Sequence, residues 1–240
     1  MLNFLKIGMV FLGLLASNTV FAINLTAQSW IVADYKGKII DGENIEQVRS
    51  IASITKLITV MVVLDANQDL EEVIKLHSRK ELISLALIKS DNQAAQLLCD
   101  NYPTGRSGCV SAMNTKVHIM GLSNTKFIDP TGLGIMNIST ASELVSIVLE
   151  AQKYPEIVEA SKSSQVKIQI KKKWLVFNNT NPIIGKRHNF IVSKTGYIRA
   201  SGGCIVMMLD TDIGRRIVVV LGSKNTHTRI PEAEFIATKE

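Results

Sequence analysis

The stretch SITKLITVMVVL, residues 53–64, carries apolar side chains at most positions and leaves no wide polar face. We expect it to form a helix at the centre of the fold, buried on nearly all sides. Ser53 and Lys56 stand at its start, and residues three apart lie on one face of a helix. The stretch therefore predicts a hydroxyl beside an amine at a buried helix N-terminus, where the first N–H groups point outward.

Strand patterns lie near both ends of the chain. Apolar stretches at 30–33 and 39–40 flank a Lys-Gly-Lys turn, which predicts a hairpin. Alternation of apolar and polar residues at 166–170 predicts a further strand, and so do the continuous apolar runs at 204–209 and 217–221.

Helices are predicted in the middle of the chain. Capping-box patterns at 78–81 and 140–143 each precede an apolar periodic segment. Strands at both ends with helices between them indicate an α+β fold. We expect an antiparallel sheet of about five strands, built from both chain ends and packed against the helical region, as a single domain over residues 23–240.

The Ser-x-x-Lys pattern occurs three times, at Ser53, Ser123 and Ser164, and only Ser53 begins a buried helix. A lysine can activate a serine only when its amine is neutral, so the pKa of Lys56 must fall from about 10.4. Burial lowers it, and a second ammonium from Lys194 at about 4 Å would lower it by about 3 more at an effective dielectric of about 20.

Two further short motifs follow. Ser90-Asp91-Asn92 lies between two predicted helices, where Ser90 can relay a proton from Lys56 and the Asn92 amide can both donate and accept hydrogen bonds. Taken alone, this motif fits an ordinary helix-capping loop better. Lys194-Thr195-Gly196 occurs once, and on a strand beside a cleft it offers an ammonium and a hydroxyl to a carboxylate, with Gly196 allowing close backbone approach.

Together these motifs resemble those of the penicillin-recognising serine enzymes, which include the penicillin-binding proteins and class A β-lactamases. Within that superfamily the chain most resembles the small penicillin-binding proteins that act as D,D-endopeptidases and carboxypeptidases. Segments 51–57, 124–127 and 130–133 carry the likeness, which runs from about Trp30 to Gly222.

The resemblance implies a β-lactamase/transpeptidase-like fold and a serine D,D-peptidase that acts on peptidoglycan peptides through an acyl-enzyme. β-Lactam antibiotics would be covalent inhibitors, and no cofactor is implied. The implied catalytic residues are Ser53, Lys56 and Ser90. The implied substrate-binding residues are Asn92, Lys194, Thr195, Gly196 and Tyr197, and the N–H groups of Ser53 and Tyr197 would form an oxyanion hole.

Several functions remain open at this point. Segment 178–182 resembles the endopeptidase group, which favours cleavage of D-Ala cross-links over removal of terminal D-Ala. A β-lactamase is one alternative, although the chain carries no Glu-x-x-Leu-Asn segment between the second and third motifs. A non-catalytic wall-binding protein is another, because only 37 positions separate Ser53 from Ser90 and a stretch usual in the family is trimmed.

Residues 1–22 are typical of a signal peptide. Lys6 precedes an apolar run at 7–16, and Val20-Phe21-Ala22 places small residues at the two cleavage positions. The run is shorter than the roughly 20 residues that a membrane span needs. We expect a periplasmic protein without a stable membrane anchor after cleavage, because no later apolar run reaches spanning length and the chain ends soon after its last strand.

The charge and amino-acid composition indicate which kinds of molecule the protein can bind. The net charge is +6 and the aromatic content is 5%, which favours attraction to an anionic cell-wall polymer over nucleic acid. The four histidines are scattered, so no metal site is predicted. Cys99 and Cys109 flank a short loop that a disulfide could close, and the sequence does not decide whether it forms, whereas Cys204 is predicted to be buried.

Overall fold

A computed structural model describes residues 24–239. The predicted signal peptide, residues 1–22, lies outside the described residues. Within residues 24–239, no helix is both long enough and apolar enough to cross a membrane.

Eleven strands are present in this part of the chain. They are β1 (Ser29–Asp34), β2 (Ile39–Glu43), β3 (Arg49–Ser50), β4 (Val73–Ile74), β5 (His77–Ser78), β6 (Ile138–Ser139), β7 (Gln165–Ile170), β8 (Lys173–Asn178), β9 (Phe190–Ile198), β10 (Gly202–Thr211) and β11 (Gly214–Ser223).

The same part of the chain contains seven α-helices, most of them between β3 and β7. They are α1 (Lys56–Asp65), α2 (Arg79–Ser84), α3 (Asn92–Asp100), α4 (Gly105–Ile119), α5 (Ala141–Ala151), α6 (Pro155–Lys162) and α7 (Arg229–Ala237). A 3₁₀ turn over Ala52–Thr55 precedes α1, and a π-helical turn over Leu85–Lys89 follows α2.

The main sheet has five strands in the order β2-β1-β11-β10-β9, and every neighbouring pair is antiparallel. The first two strands come from the start of the described chain and the other three from its end. The α+β prediction, with a sheet assembled from both ends, is therefore confirmed.

Both faces of this sheet are covered, which explains the continuous apolar runs in β10 and β11. Val206 and Val219 face the helical region around α1 and α5, whereas Ile205 and Val218 pack toward α7 on the other face. An antiparallel strand usually alternates apolar and polar residues because one face meets water. Here the sheet is the middle layer of three, so that alternation is lost.

The predicted central helix begins three residues later than expected. Ser53 lies in the 3₁₀ turn, and α1 starts at Lys56. Residues 56–63 are all buried, as the apolar pattern predicted. The capping box at Ser78 is complete, but at Thr140 only the threonine half forms, because the Glu143 carboxylate accepts from the Asn124 segment instead.

Two local predictions need revision. The alternating segment at 166–170 is a strand, yet β7 pairs only with β8 in a separate hairpin outside the five-stranded sheet. The region after Pro103, read as a short loop, instead begins α4 at Gly105. Gly105 and Gly108 fall in its first turn, and because glycine is a poor helix former, these residues carry no helical signal.

A disulfide joins Cys99 at the end of α3 to Cys109 in α4, with the two Cα atoms 5.4 Å apart. Both side chains are fully buried, and Cys204 is a buried free thiol. The bridge that the sequence left open is therefore formed, and it ties α3 to α4 beside the central helix.

Loss of this bridge should lower stability. In the chain-entropy picture, a closed loop of this size stabilises the folded state by about 3 kcal/mol. We predict that reduction of the wild-type protein lowers its free energy of unfolding by about that amount, measured by urea denaturation. The Cys99→Ala, Cys109→Ala double variant is the control and should not respond to reductant. Equal urea midpoints for oxidised and reduced wild type would contradict the prediction.

Candidate active site

Three chain segments meet at Ser53. The 3₁₀ turn that holds it packs directly against β9, and the loop at 129–134 covers its other side. The π-helical turn ends at Ser90, so the 37 positions between the two serines still return to the same cleft. The trimmed segment has therefore not removed the second motif from the site.

Lys56 is fully buried and donates three hydrogen bonds. Its Nζ lies 2.8 Å from Ser53 Oγ, 2.8 Å from Asn92 Oδ1 and 2.7 Å from the Thr131 carbonyl oxygen. A charged lysine donates all three bonds, whereas a neutral lysine donates two and accepts the third, and among these partners only the Ser53 hydroxyl can donate to it. The first and second predicted motifs are thus joined through one amine.

Burial lowers the pKa of Lys56 to about 7, against the opposing effect of the Asp129 and Asp91 carboxylates. Burial, the first of the two expected causes, accounts for this shift, whereas the further repulsion expected from Lys194 is not among its causes. The physical reason is desolvation, since an ammonium held away from water is costly to keep charged. Near pH 7 a large fraction of Lys56 is therefore neutral.

Lys194 belongs to the same cluster through Ser90. Its Nζ donates to Ser90 Oγ at 2.8 Å and to the Thr195 carbonyl at 2.9 Å. Burial holds the pKa of Lys194 well below its ordinary value, and the positive charges of Lys56 and Arg229 act in the same direction. The repulsion predicted between the two lysines is thus seen at Lys194.

The rest of the third motif forms the edge of the cleft. Thr195 Oγ1 donates to Thr180 Oγ1 at 2.7 Å, and Tyr197 is half exposed. The Gly196 carbonyl accepts from Arg229 Nη1 at 2.7 Å. Because a trans peptide points its carbonyl and its N–H in opposite directions, this bond also orients the Tyr197 N–H.

The backbones approach so closely that two glycines are required. A Cβ on Gly132 would lie 1.9 Å from the Ala52 carbonyl oxygen and 2.9 Å from Ser53 N. A Cβ on Gly196 would lie 2.8 Å from the Ile51 carbonyl oxygen and 3.0 Å from Ser53 N. Strand β9 and the 129–134 loop therefore clamp the serine turn from two sides.

Backbone strain is concentrated at the same place. Ala52, just before the serine, has φ of 47°, and Ser90 has φ of 60°. The left-handed region is unfavourable for residues with a side chain, and such positions cluster at functional sites. Packing of the surrounding elements holds both residues in these conformations.

Four residues of this arrangement were given no individual role from the sequence, although segments 130–133 and 178–182 contain two of them. They are Asp129, Thr131, Thr180 and Arg229. The Asp129 carboxylate accepts hydrogen bonds from the backbone N–H groups of Thr131, Gly132 and Gly134 and so shapes the loop that presents the Thr131 carbonyl. The Asp-Pro-Thr-Gly string was a signal for such a turn, because Asp favours bonds to its own following backbone. Arg229 lies 33 positions from its partner Gly196, and no local pattern reveals that contact.

The site contains no metal-binding cluster. Across residues 24–239, no group of three or more His, Cys, Asp or Glu side chains is placed to hold a metal ion. The cleft instead contains the Ser53 hydroxyl in contact with the Lys56 amine, whose pKa is about 7. That pair can carry out nucleophilic acyl transfer with the amine as the base.

A comparison with known sequences decides the family. The sequence profile described as D-alanyl-D-alanine carboxypeptidase matches residues 16–77 and 71–225. The chain belongs to this family. It is also 34% identical to a D-alanyl-D-alanine endopeptidase of Pseudomonas aeruginosa, over 87% of this chain and 75% of that protein.

Other relatives agree with this family. A D-alanyl-D-alanine endopeptidase of Escherichia coli is 32% identical, over 93% of this chain and 80% of that protein. Among solved structures, a penicillin-binding protein of Listeria monocytogenes in its ampicillin-bound form has a TM-score of 0.80 and 24% identity, covering 89% of this chain and 96% of that one. The structural likeness establishes the shared fold.

The clamp on the serine turn should control the reactivity of Ser53, and a fluorescent penicillin serves as the acylating probe. We predict that Gly132→Ala slows acylation by a fluorescent penicillin by about 100-fold, because the added Cβ displaces the Ser53 turn by an ångström or more. Gly121→Ala is the matched control: its φ of 76° is similar to the 82° of Gly132, but open space surrounds its Cβ position.

The measurement is the rate of gel-detected labelling, with circular dichroism to confirm folding. Gly121→Ala should label within about twofold of wild type, since it shares the backbone strain and lacks the clash. Equal labelling rates for Gly132→Ala and Gly121→Ala would show that the close approach does not matter.

Proposed function

We propose that this chain is a serine D,D-peptidase that opens D-Ala cross-links in peptidoglycan through an acyl-enzyme on Ser53. The observation that carries the proposal is the contact of 2.8 Å between Ser53 Oγ and Lys56 Nζ, an amine with a pKa of about 7. We assign Ser53 as the nucleophile and Lys56 as its base, because a neutral amine in contact with a hydroxyl can take its proton.

In the first step, neutral Lys56 takes the proton from the Ser53 hydroxyl as the oxygen attacks the D-Ala carbonyl. The negative charge that develops on the carbonyl oxygen is stabilised by the N–H groups of Ser53 and Tyr197. Arg229 supports this arrangement because it holds the Gly196 carbonyl and with it the direction of the Tyr197 N–H. Loss of one such donor typically costs on the order of 100 to 1000 in rate.

In the second step, the bond to the leaving amine breaks and the amine receives a proton. Ser90 is the proposed relay: its oxygen accepts from Lys194 at 2.8 Å, so its own O–H is free to donate to the amine nitrogen. The proton that Lys56 took from Ser53 replaces the one that Ser90 gives up. Water then hydrolyses the ester and regenerates the Ser53 hydroxyl.

Residues at the edge of the cleft are proposed to bind the substrate. Thr195 and Lys194 are the proposed anchors for a substrate carboxylate, and the Asn92 amide nitrogen is the proposed donor to the peptide. Asn92 Oδ1 already accepts from Lys56, which fixes the amide so that its nitrogen points away from the lysine.

The preference for cross-links has two supports. Both relatives with identity above 30% described above are named D-alanyl-D-alanine endopeptidase. Segment 178–182 lies against the catalytic region, since Thr180 bonds to Thr195 Oγ1 and its backbone N–H donates to the Ile88 carbonyl. This contact places the segment that carries the endopeptidase resemblance at the edge of the cleft.

The proposal includes export to the periplasm. Residues 1–22 have the sequence features of a signal peptide. The disulfide between Cys99 and Cys109 supports an oxidising compartment, because structural disulfides are rare in the cytosol.

Digestion of purified cross-linked muropeptide dimers tests the proposal. We predict conversion of dimers to monomers by the wild-type protein and a loss of at least about 1000-fold in Ser53→Ala, because the nucleophile is gone. The control is Ser123→Ala, which removes an exposed serine of a second Ser-x-x-Lys pattern and should leave the rate unchanged.

Three outcomes would contradict it. Intact dimers with release of terminal D-Ala from pentapeptides would make the enzyme a carboxypeptidase. Rapid turnover of nitrocefin without peptide cleavage would favour a β-lactamase. Absence of penicillin labelling on wild-type protein would favour a wall-binding protein without catalysis.

A further inference from the structure

The hairpin formed by β7 and β8 presents an exposed tryptophan. Trp174 is 64% exposed, whereas the only other tryptophan, Trp30, is 5% exposed and lies in the core. Tryptophan is enriched in contact surfaces relative to the rest of the protein surface, so this ring is a candidate contact residue. The fold itself gives Trp174 no structural role, because the buried side of the hairpin is the opposite one.

The strand register shows what surrounds this ring. Gln169 lies directly across from Trp174, and Lys167 lies across from Val176. Ile168, between the two β7 residues, is fully buried against the core, so Lys167 and Gln169 share the outward face with Trp174. We call this outward face the hairpin platform. Its members are Gln165, Lys167, Gln169, Trp174, Val176 and Asn178.

The hairpin carries positive charge only. Residues 165–178 contain four lysines, Lys167, Lys171, Lys172 and Lys173, and no Asp or Glu. All four are exposed. The platform therefore combines an aromatic face, amide side chains that both donate and accept hydrogen bonds, and nearby ammonium groups.

The hairpin rises from the rim of the active site. Its base packs on the π-helical turn that ends at Ser90, with Lys89 Nζ 4.5 Å from the centre of the Phe177 ring. Thr180, two residues after β8, bonds to Thr195 in the cleft. Asn178 lies four residue steps along the strand from Trp174, a distance of about 13 Å.

From these observations we propose that the hairpin platform binds the saccharide strand of the cell-wall polymer whose peptide occupies the cleft. Trp174 stacks on the apolar face of an N-acetylated sugar ring, Gln169 bonds to its hydroxyl or acetamido groups, and the lysines attract carboxylates of neighbouring peptides. The inference rests on the proposed function for the identity of the polymer. An extended peptide of four or five residues spans about 13–18 Å, comparable to the length of strand from Trp174 to Asn178, which lies two residues before the cleft contact at Thr180.

A lipid surface fits the hairpin less well. Lys171 and Lys172 occupy the turn at the tip, so insertion of the tip would carry two ammonium groups into hydrocarbon. On the same face Gln169 and Lys167 lie beside Trp174, so Val176 is its one apolar neighbour there and the face remains largely polar, unlike the apolar face of a membrane-bound element.

The experiment uses the intrinsic fluorescence of Trp174 and a soluble β-1,4-linked hexamer of N-acetylglucosamine. We expect the hexamer to shift the emission to shorter wavelength and to reduce quenching by acrylamide, because the exposed ring becomes covered. Trp174→Ala should remove this response, and its retention on chitin beads should fall at least tenfold. Tyr35→Ala removes another exposed aromatic, 53% exposed and in the turn between β1 and β2, and should bind like wild type.

Phosphatidylglycerol vesicles form the second arm. Protection of Trp174 by vesicles and not by the hexamer would overturn the proposal in favour of a membrane contact, and so would the absence of any response to the hexamer. Penicillin labelling of the same wild-type sample tests the proposed function separately. Labelling without hexamer binding would contradict the platform alone, whereas hexamer binding without labelling would support the platform and contradict the proposed catalysis.

Discussion

The desolvated amine of Lys56 is the feature on which the rest of the site depends. Three oxygen atoms surround its Nζ at 2.7–2.8 Å, and none of its side chain meets water. Burial favours the neutral form, while the carboxylates of Asp129 and Asp91 favour the charged one. The balance leaves the pKa at about 7, where a base is both available and strong enough to accept a proton from serine.

This balance requires the whole architecture around the central helix. Asn137 is buried and donates to Thr55 Oγ1 and to the Asp129 carbonyl, so the loop that presents Thr131 is fixed to the start of α1. Strand β9 reaches the same turn only because the sheet joins both ends of the chain, with β1 paired to β11. The catalytic arrangement therefore depends on the fold, because assembly of the sheet positions β9 and so brings Lys194 to Ser90.

Much of this arrangement follows from local sequence patterns. Three predictions from local patterns are confirmed. The apolar run after Ser53 forms α1, the capping box at Ser78 begins α2, and the apolar run at 204–209 lies in β10. The joint order of the three motifs identified the residues that now surround the cleft. These signals succeed because helix burial, capping and strand pairing depend on residues close in sequence.

What the sequence could not supply depends on tertiary contacts. The reach of Arg229 to Gly196 and the close approach of Gly132 to Ala52 join residues far apart in sequence, and no local pattern shows that the β7–β8 hairpin lies outside the main sheet. For the pKa of Lys56, the sequence predicted the effect of burial correctly but added a repulsion from Lys194 that the structure does not show at that residue. Distance and burial decide that question, and neither can be measured from the order of residues.

The pH dependence of acylation by penicillin, followed by stopped-flow kinetics, tests the central claim most directly. Neutral Lys56 is the base, so the second-order rate constant should rise with pH, reach half its maximum near pH 7 and level off above it. A rate constant that is flat between about pH 6 and 9, or that rises only near the ordinary lysine pKa of about 10.4, would contradict the account.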